Sequence, residues 1–395
     1  MSRSSLLVAT GFLAILGLIV GLVVLYNSLS VPSSEPERER SGVFSNLFPF
    51  GNRSTTSVSQ GEDEVPPAGP IPRLRKVSDA QVSGARFAVG LSGEPSIRYV
   101  ERETGHIYEA PLTAFTAIRL TNTTVPRSLE ALWLSASSTV LRFVNENDAI
   151  ENFSGFFSGT TTDQTLRGVF LKNYSRIAPA QGGVLGLSTS PTGSVLEFVS
   201  TETQTARIIF ASSINSWVPH AAGNRFFVQS APSGLAQGSL YEVEEGELRS
   251  LIKNVPGLSV RIRSDGERIL ASSGTTQNTV LFVTDANGAR IDAPVRRTLA
   301  EKCVWVGETE EAICAIPKEL PRGIYPDDWL LGRIQTNDEL WRIDTVSGTQ
   351  TALIDPEETV SVAFDILQMH VSPDGGHVLF INKTDQTLWV LRLQE

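Results

Sequence analysis

A short phrase recurs along this chain: an aromatic residue, an aliphatic one or two positions later, a few polar residues, then glycine. It reads Tyr99-Val100 to Gly105, Tyr241-Glu242-Val243 to Gly246, Phe282-Val283 to Gly288 and Trp341-Arg342-Ile343 to Gly348. Trp389-Val390-Leu391 opens it once more with no glycine behind it. The glycines stand 141, 42 and 60 residues apart, which fits a unit of about 40 to 50 residues with one long insertion, the period of propeller blades.

Around the phrase, short alternating runs are separated by Gly, Asp, Asn and Ser turns with little helical periodicity, the mark of an all-β domain. One unit can be written strand by strand: 258–263 turns at Ser264-Asp265-Gly266 into 268–272, followed by 279–284 and 289–295. The same order recurs at 215–252, and more divergent units occupy 81–112, 129–172, 183–211 and 301–355. With a last unit at 367–393 the count is seven, and six or eight also fit the spacing. That last unit has only three strands. The segment Pro72-Arg73-Leu74-Arg75-Lys76-Val77 is the donor expected to complete it, closing the ring and removing an open sheet edge.

The amino terminus has a different character. Residues 6–26 carry no charge, and 21 residues at about 1.5 Å each span about 30 Å, the thickness of a bilayer core. The run exceeds the apolar stretch of a secretory signal, and no small-x-small cleavage site follows it. Residues 27–71, rich in Ser, Pro, Gly and Glu, read as a flexible tether. The expected organisation is a short cytoplasmic segment 1–5, a transmembrane helix 6–26, the tether 27–71 and a propeller 72–395. Residues after 76 hold 26 Lys/Arg against 37 Asp/Glu, so no nucleic-acid-binding surface is expected, because phosphate binding needs clustered basic charge.

The chain has two cysteines, Cys303 and Cys314. They flank a hairpin whose turn, centred between Glu308 and Thr309, pairs residues whose numbers sum to 617. The cysteines then sit opposite each other, as a disulfide or as two buried reduced thiols. A disulfide places the propeller outside the cytoplasm.

Ser372-Pro373-Asp374-Gly375-Gly376-His377-Val378-Leu379-Phe380 and Arg263-Ser264-Asp265-Gly266-Glu267-Arg268-Ile269-Leu270 resemble WD40-like and TolB-like β-propeller repeats. The chain is also similar to membrane-tethered bacterial propeller proteins of unassigned function, through Arg98-Tyr99-Val100-Glu101, Glu301-Lys302-Cys303-Val304-Trp305 and Tyr325-Pro326-Asp327-Asp328-Trp329. The Gly-His and Trp-Asp pairs of true WD40 repeats are missing, so their intracellular scaffold role does not carry over.

The sixth unit holds the insertion 317–333, which brings Tyr325, Asp327, Asp328, Trp329 and Arg333 into one loop. Such a set suits a ligand or partner surface; the alternative is that Trp329 caps the core and the prolines stiffen a long loop. Loops 90–95, 230–238, 273–278 and 382–386, the last with Lys383 and Asp385, are expected on the same face. His106, His220, His370 and His377 lack the third ligand a metal site needs and read as structural. Trp133, Trp217 and Trp305 read as packing between blades. No catalytic residue, metal or cofactor is assigned.

The expected function is a membrane-anchored, single-pass, extracytoplasmic propeller that binds or scaffolds an envelope protein or glycan. The alternative is an envelope-polymer hydrolase or lyase using carboxylates on the channel face, such as Asp327 and Asp328.

Overall fold

Strands whose residues are buried on both faces dominate this chain: Glu311–Pro317 and His377–Asn382 keep nearly every side chain inside. A strand of that kind needs apolar cover above and below, which sheets stacked face to face supply. A computed structural model describes residues 69–394 apart from 159–161, 163, 277 and 292–296. The expected span 6–26 and nearly all of the tether lie outside the described residues. Among those described, no helix is long and apolar enough to cross a membrane.

The first strand, β1 (Leu74–Ser78), precedes the blades. Blade I is β2 (Val82–Val89), β3 (Pro95–Glu101), β4 (Ile107–Pro111) and β5 (Ile118–Arg119); blade II is β6 (Ser128–Ser135), β7 (Ser138–Val144), β8 (Ile150–Phe156) and β9 (Arg167–Phe170). Blade III is β10 (Arg176–Ala180), β11 (Gly183–Ser190), β12 (Gly193–Ser200) and β13 (Ala206–Ser212); blade IV is β14 (Trp217–Ala222), β15 (Arg225–Ser230), β16 (Gln237–Glu244) and β17 (Glu247–Pro256). Blade V is β18 (Ser259–Ile262), β19 (Arg268–Gly274), β20 (Thr279–Asp285) and β21 (Arg290–Ile291); blade VI is β22 (Cys303–Trp305), β23 (Glu311–Pro317), β24 (Asp338–Asp344) and β25 (Gln350–Ile354). Blade VII joins β26 (Ile366–Val371), β27 (His377–Asn382) and β28 (Leu388–Arg392) to β1, in the order β1-β28-β27-β26.

The fold is a seven-bladed β-propeller. Innermost strands touch around the ring, β2 meeting both β6 and β26. The seven interfaces between blades each hold an apolar cluster. Period-two alternation divides a strand between two of them: Ile313 and Ala315 of β23 face blade VII, while Ala312, Cys314 and Ile316 face blade V. Likewise Val378 and Phe380 face blade VI, and Leu379 and Ile381 face blade I.

The N-terminal segment closes the last blade as expected: Leu74 pairs with Leu391 and Lys76 with Trp389. Its arginines reach both neighbours. Arg73 donates to the Leu353 carbonyl of blade VI at 3.1 Å, and Arg75, almost fully buried, donates to Pro111 and Ala114 beside blade I at 2.7 and 2.9 Å.

The structure departs from what the sequence predicts in the bounds of blades I and III and in the face of one loop: blade I runs on to β5, at Ile118–Arg119, past the expected end at 112. Blade III begins at Arg176, not 183, because β10 pairs with β11 along its whole length despite Pro179. Pro179 lies on an innermost strand, where one side makes no ladder bonds. The loop 90–95 joins first and second strands, so it lies on the opposite face from 230–238, 273–278 and 382–386. It sits beside the third-to-fourth turn of blade I, where Thr113 donates to Glu94 at 2.9 Å.

Candidate binding face

Between β23 and β24 the chain leaves the sheet for twenty residues, 318–337, and returns with a short helix, α1 (Asp327–Leu330), in its middle. Its turn is self-supporting. Asp328 accepts the Ile324 N–H at 2.8 Å on one oxygen and pairs with Arg333 at 3.1 Å through the other. These bonds hold the Asp328 carboxyl below its usual range, the Ile324 N–H first and Arg333 second. Gly332, at φ 71°, ends the helix and donates to the Trp329 carbonyl at 3.1 Å.

This segment folds down as a cap over blades IV to VII. Tyr325 is buried, its hydroxyl donating to Pro321 O at 2.6 Å and its N–H to Thr275 O at 3.0 Å. Its carbonyl rests on glycines: a Cβ added at Gly234 or Gly274 would stand 2.3 Å from that oxygen. Asp327 reaches across to accept the Gly234 N–H at 2.7 Å.

Trp329 is 3% exposed and packs with Leu299 and Tyr325. The ammonium groups of Lys302 and Lys383 lie 4.8 and 4.5 Å from its ring centroid. Its Nε1–H donates to Asp365 at 2.8 Å, and Lys383 donates to its carbonyl. Beneath it Lys302 is buried and donates to Asp338 and Asp365, each at 2.6 Å, and to Thr336 at 2.8 Å. Burial pushes the Asp365 carboxyl up, but Lys302, Trp329 and Thr336 outweigh it and hold the group low. For Asp338 burial prevails, and its carboxyl is raised despite Lys302.

The structure therefore brings Tyr325, Trp329 and Lys383 together inside the cap, not on its surface. Asp327 and Asp328 hold the cap to blade IV and to itself, and Arg333 stands at its rim with a largely exposed side chain. Asp385 accepts from the N–H and hydroxyl of Thr387 in its own turn. Lys302, Asp338 and Asp365 complete the site but were not singled out in the sequence; Lys302 stands in a quoted segment, yet only its packing shows that it is buried.

Apolar side chains also face outward. Leu330 and Leu331 are 48% and 65% exposed, and Leu235, next to Gly234, is 72% exposed. The strand β1 starts at the other face, where Arg392 donates to Arg73 O at 2.8 Å beside the turn at 372–376. The sulfurs of Cys303 and Cys314 are joined at 2.09 Å, in the register whose numbers sum to 617. Among the described residues, no group of three His, Cys, Asp or Glu is placed to hold a metal ion.

The chain is a closed seven-bladed β-propeller with one capped face, and propellers are among the solved structures similar to it. No protein-family model matches the sequence, and no curated protein is similar to it. The propeller domain of the Trilobed protease from Pyrococcus furiosus, described as having an open velcro topology, is 14% identical over 80% of this chain and 98% of its own, with a TM-score of 0.48. TolB from Acinetobacter baumannii is 11% identical over 69% and 62%, with a TM-score of 0.41. A prolyl endopeptidase is 9% identical over 77% of this chain, with a TM-score of 0.45; the chain spans 47% of that protein's length.

Proposed function

We propose that this protein is a membrane-anchored, single-pass propeller that works outside the cytoplasm as a binding or scaffolding module, with the capped face as its partner surface. The observation that carries the reading is the set of exposed leucines, Leu235, Leu330 and Leu331, beside Arg333 on a face built on a buried ionic foundation. Rigid exposed apolar side chains rimmed by charge are what a protein partner desolvates. Of the two partner classes, an envelope protein is favoured over a glycan, because the aromatic rings a sugar would stack on, Tyr325 and Trp329, are buried.

Anchoring rests on the uncharged run 6–26, and the compartment on the joined cysteines. Within the propeller, β1 begins on the face opposite the cap. The test is crosslinking in intact cells with the Leu331→Asp variant. Loss of the crosslinked membrane or envelope proteins, with an unchanged melting temperature, is expected. An unchanged crosslinking pattern with Leu331→Asp and Arg333→Glu combined removes the capped face from the reading. Protease accessibility of the propeller in intact cells tests its side of the membrane.

A further inference from the structure

The innermost strands enclose a lumen whose chemistry differs from the rest of the molecule. Two adjoining lobes, of about 550 and 530 Å³, share Glu130, Leu132, Pro179 and Arg261 in their walls. Four arginines line them, Arg86, Arg142, Arg176 and Arg261, together with His220 and His370, against the single carboxylate Glu130. That carboxylate is already paired with Arg142 at 3.0 Å. Arg86, Arg176 and Arg261, from blades I, III and V, have no carboxylate within ion-pair distance among the described residues; Arg86 donates to the carbonyl of Phe87, and Arg261 makes a long 3.4 Å contact to the Glu301 carbonyl. The chain carries a formal net charge of −10, so this concentration of positive charge runs against its average.

Backbone geometry supports the arrangement. Gln368, at φ 51°, forms a bulge in β26 where the register shifts between Leu367 and His370, and both Gln368 and His370 line the lumen. A non-glycine residue in that conformation is strained, and bulges re-aim side chains beside functional sites. His370 and Arg261 stand at matching positions, each five residues before the glycine of a Ser-Pro-Asp-Gly or Arg-Ser-Asp-Gly turn. His220 Nε2 is buried against the lumen without a hydrogen-bond partner.

We propose that the lumen is a binding site for a small ligand carrying two or more oxyanion groups, carboxylate or phosphate, held by Arg261 and Arg86 in the first lobe, with Arg176 in the adjoining one. Guanidinium groups pair with carboxylate and phosphate oxygens bidentately, and charges lining a walled cavity focus the field on its interior. Each lobe has the volume of a small-molecule site, about 300–1,000 Å³. The site is independent of the capped face and its partner.

The test is isothermal titration of the purified full-length chain with pyrophosphate and with citrate at low salt. Saturable binding of at least one is expected, and the stronger of the two identifies phosphate or carboxylate as the preferred group. Arg261→Gln and Arg86→Gln should each weaken it fivefold or more, Arg261→Lys less than Arg261→Gln, and Arg333→Gln on the cap not at all. Melting temperatures establish that each variant is folded; if one is not, the other lumen variant decides. Failure of both probes to bind saturably, less than a fivefold loss in the folded lumen variants, or an equal loss with Arg333→Gln overturns the proposal.

Discussion

Replacing Lys302 with methionine would leave the wholly buried carboxylates of Asp338 and Asp365 without their shared cation. Removing one partner of a buried pair costs about 3–5 kcal/mol. Lys383, 3.9 Å from Asp365, offsets part of that, so the loss in urea unfolding should fall near the lower figure. A second residue-scale effect belongs to the lumen. His220 and His370 are held down to about 4, by burial first and the Arg261 charge second, with Arg176 also acting on His220 and Arg86 on His370. Between about pH 6.5 and 4 the unfolded chain takes up protons that the folded chain refuses, so stability falls as pH drops through that window. His370 is open to lumen water, so its share is smaller. Melting temperatures at pH 7 and pH 5 should differ in that direction, and the difference should shrink in His220→Gln/His370→Gln. None of this could be read in the sequence: a lysine or histidine looks the same whether its neighbours are water, carboxylates or arginines.

At the scale of the element, the hairpin of β22 and β23 was legible because its register follows from turn position alone. Cys303 pairs with Cys314 as the spacing requires. Closing so short a loop contributes about 2–3 kcal/mol; Cys303→Ser/Cys314→Ser should lower stability by that amount in denaturant unfolding, and reductant should do the same to the parent. The cap was legible only as an insertion of unusual composition. Whether Trp329 faced solvent or core depended on Lys302, Lys383 and Asp365, which come from blades VI and VII. Its fit depends equally on the absence of a side chain at Gly274, where a Cβ would meet the Tyr325 carbonyl at 2.3 Å. Gly274→Val should unseat the cap, costing about 1–3 kcal/mol as an overpacked site and opening residues 318–337 to limited proteolysis.

For the whole molecule, closure is the controlling fact. β1 fills the open edge of β28, buries Leu74 and ties blade VII to blades VI and I through Arg73 and Arg75. A chain beginning at residue 79 should melt well below the parent and associate through the bared edge of β28; size-exclusion chromatography against concentration would show both. The amino-acid sequence by itself pointed to an all-β propeller of about seven blades, most of its strands, the missing strand of the last blade and the cysteine register, because each follows from local alternation, turn residues and spacing. Only the tertiary structure decided that the aromatic insertion folds inward and that arginines from blades I, III and V line one lumen. Those outcomes depend on residues far apart in the chain, whose contacts no local pattern records.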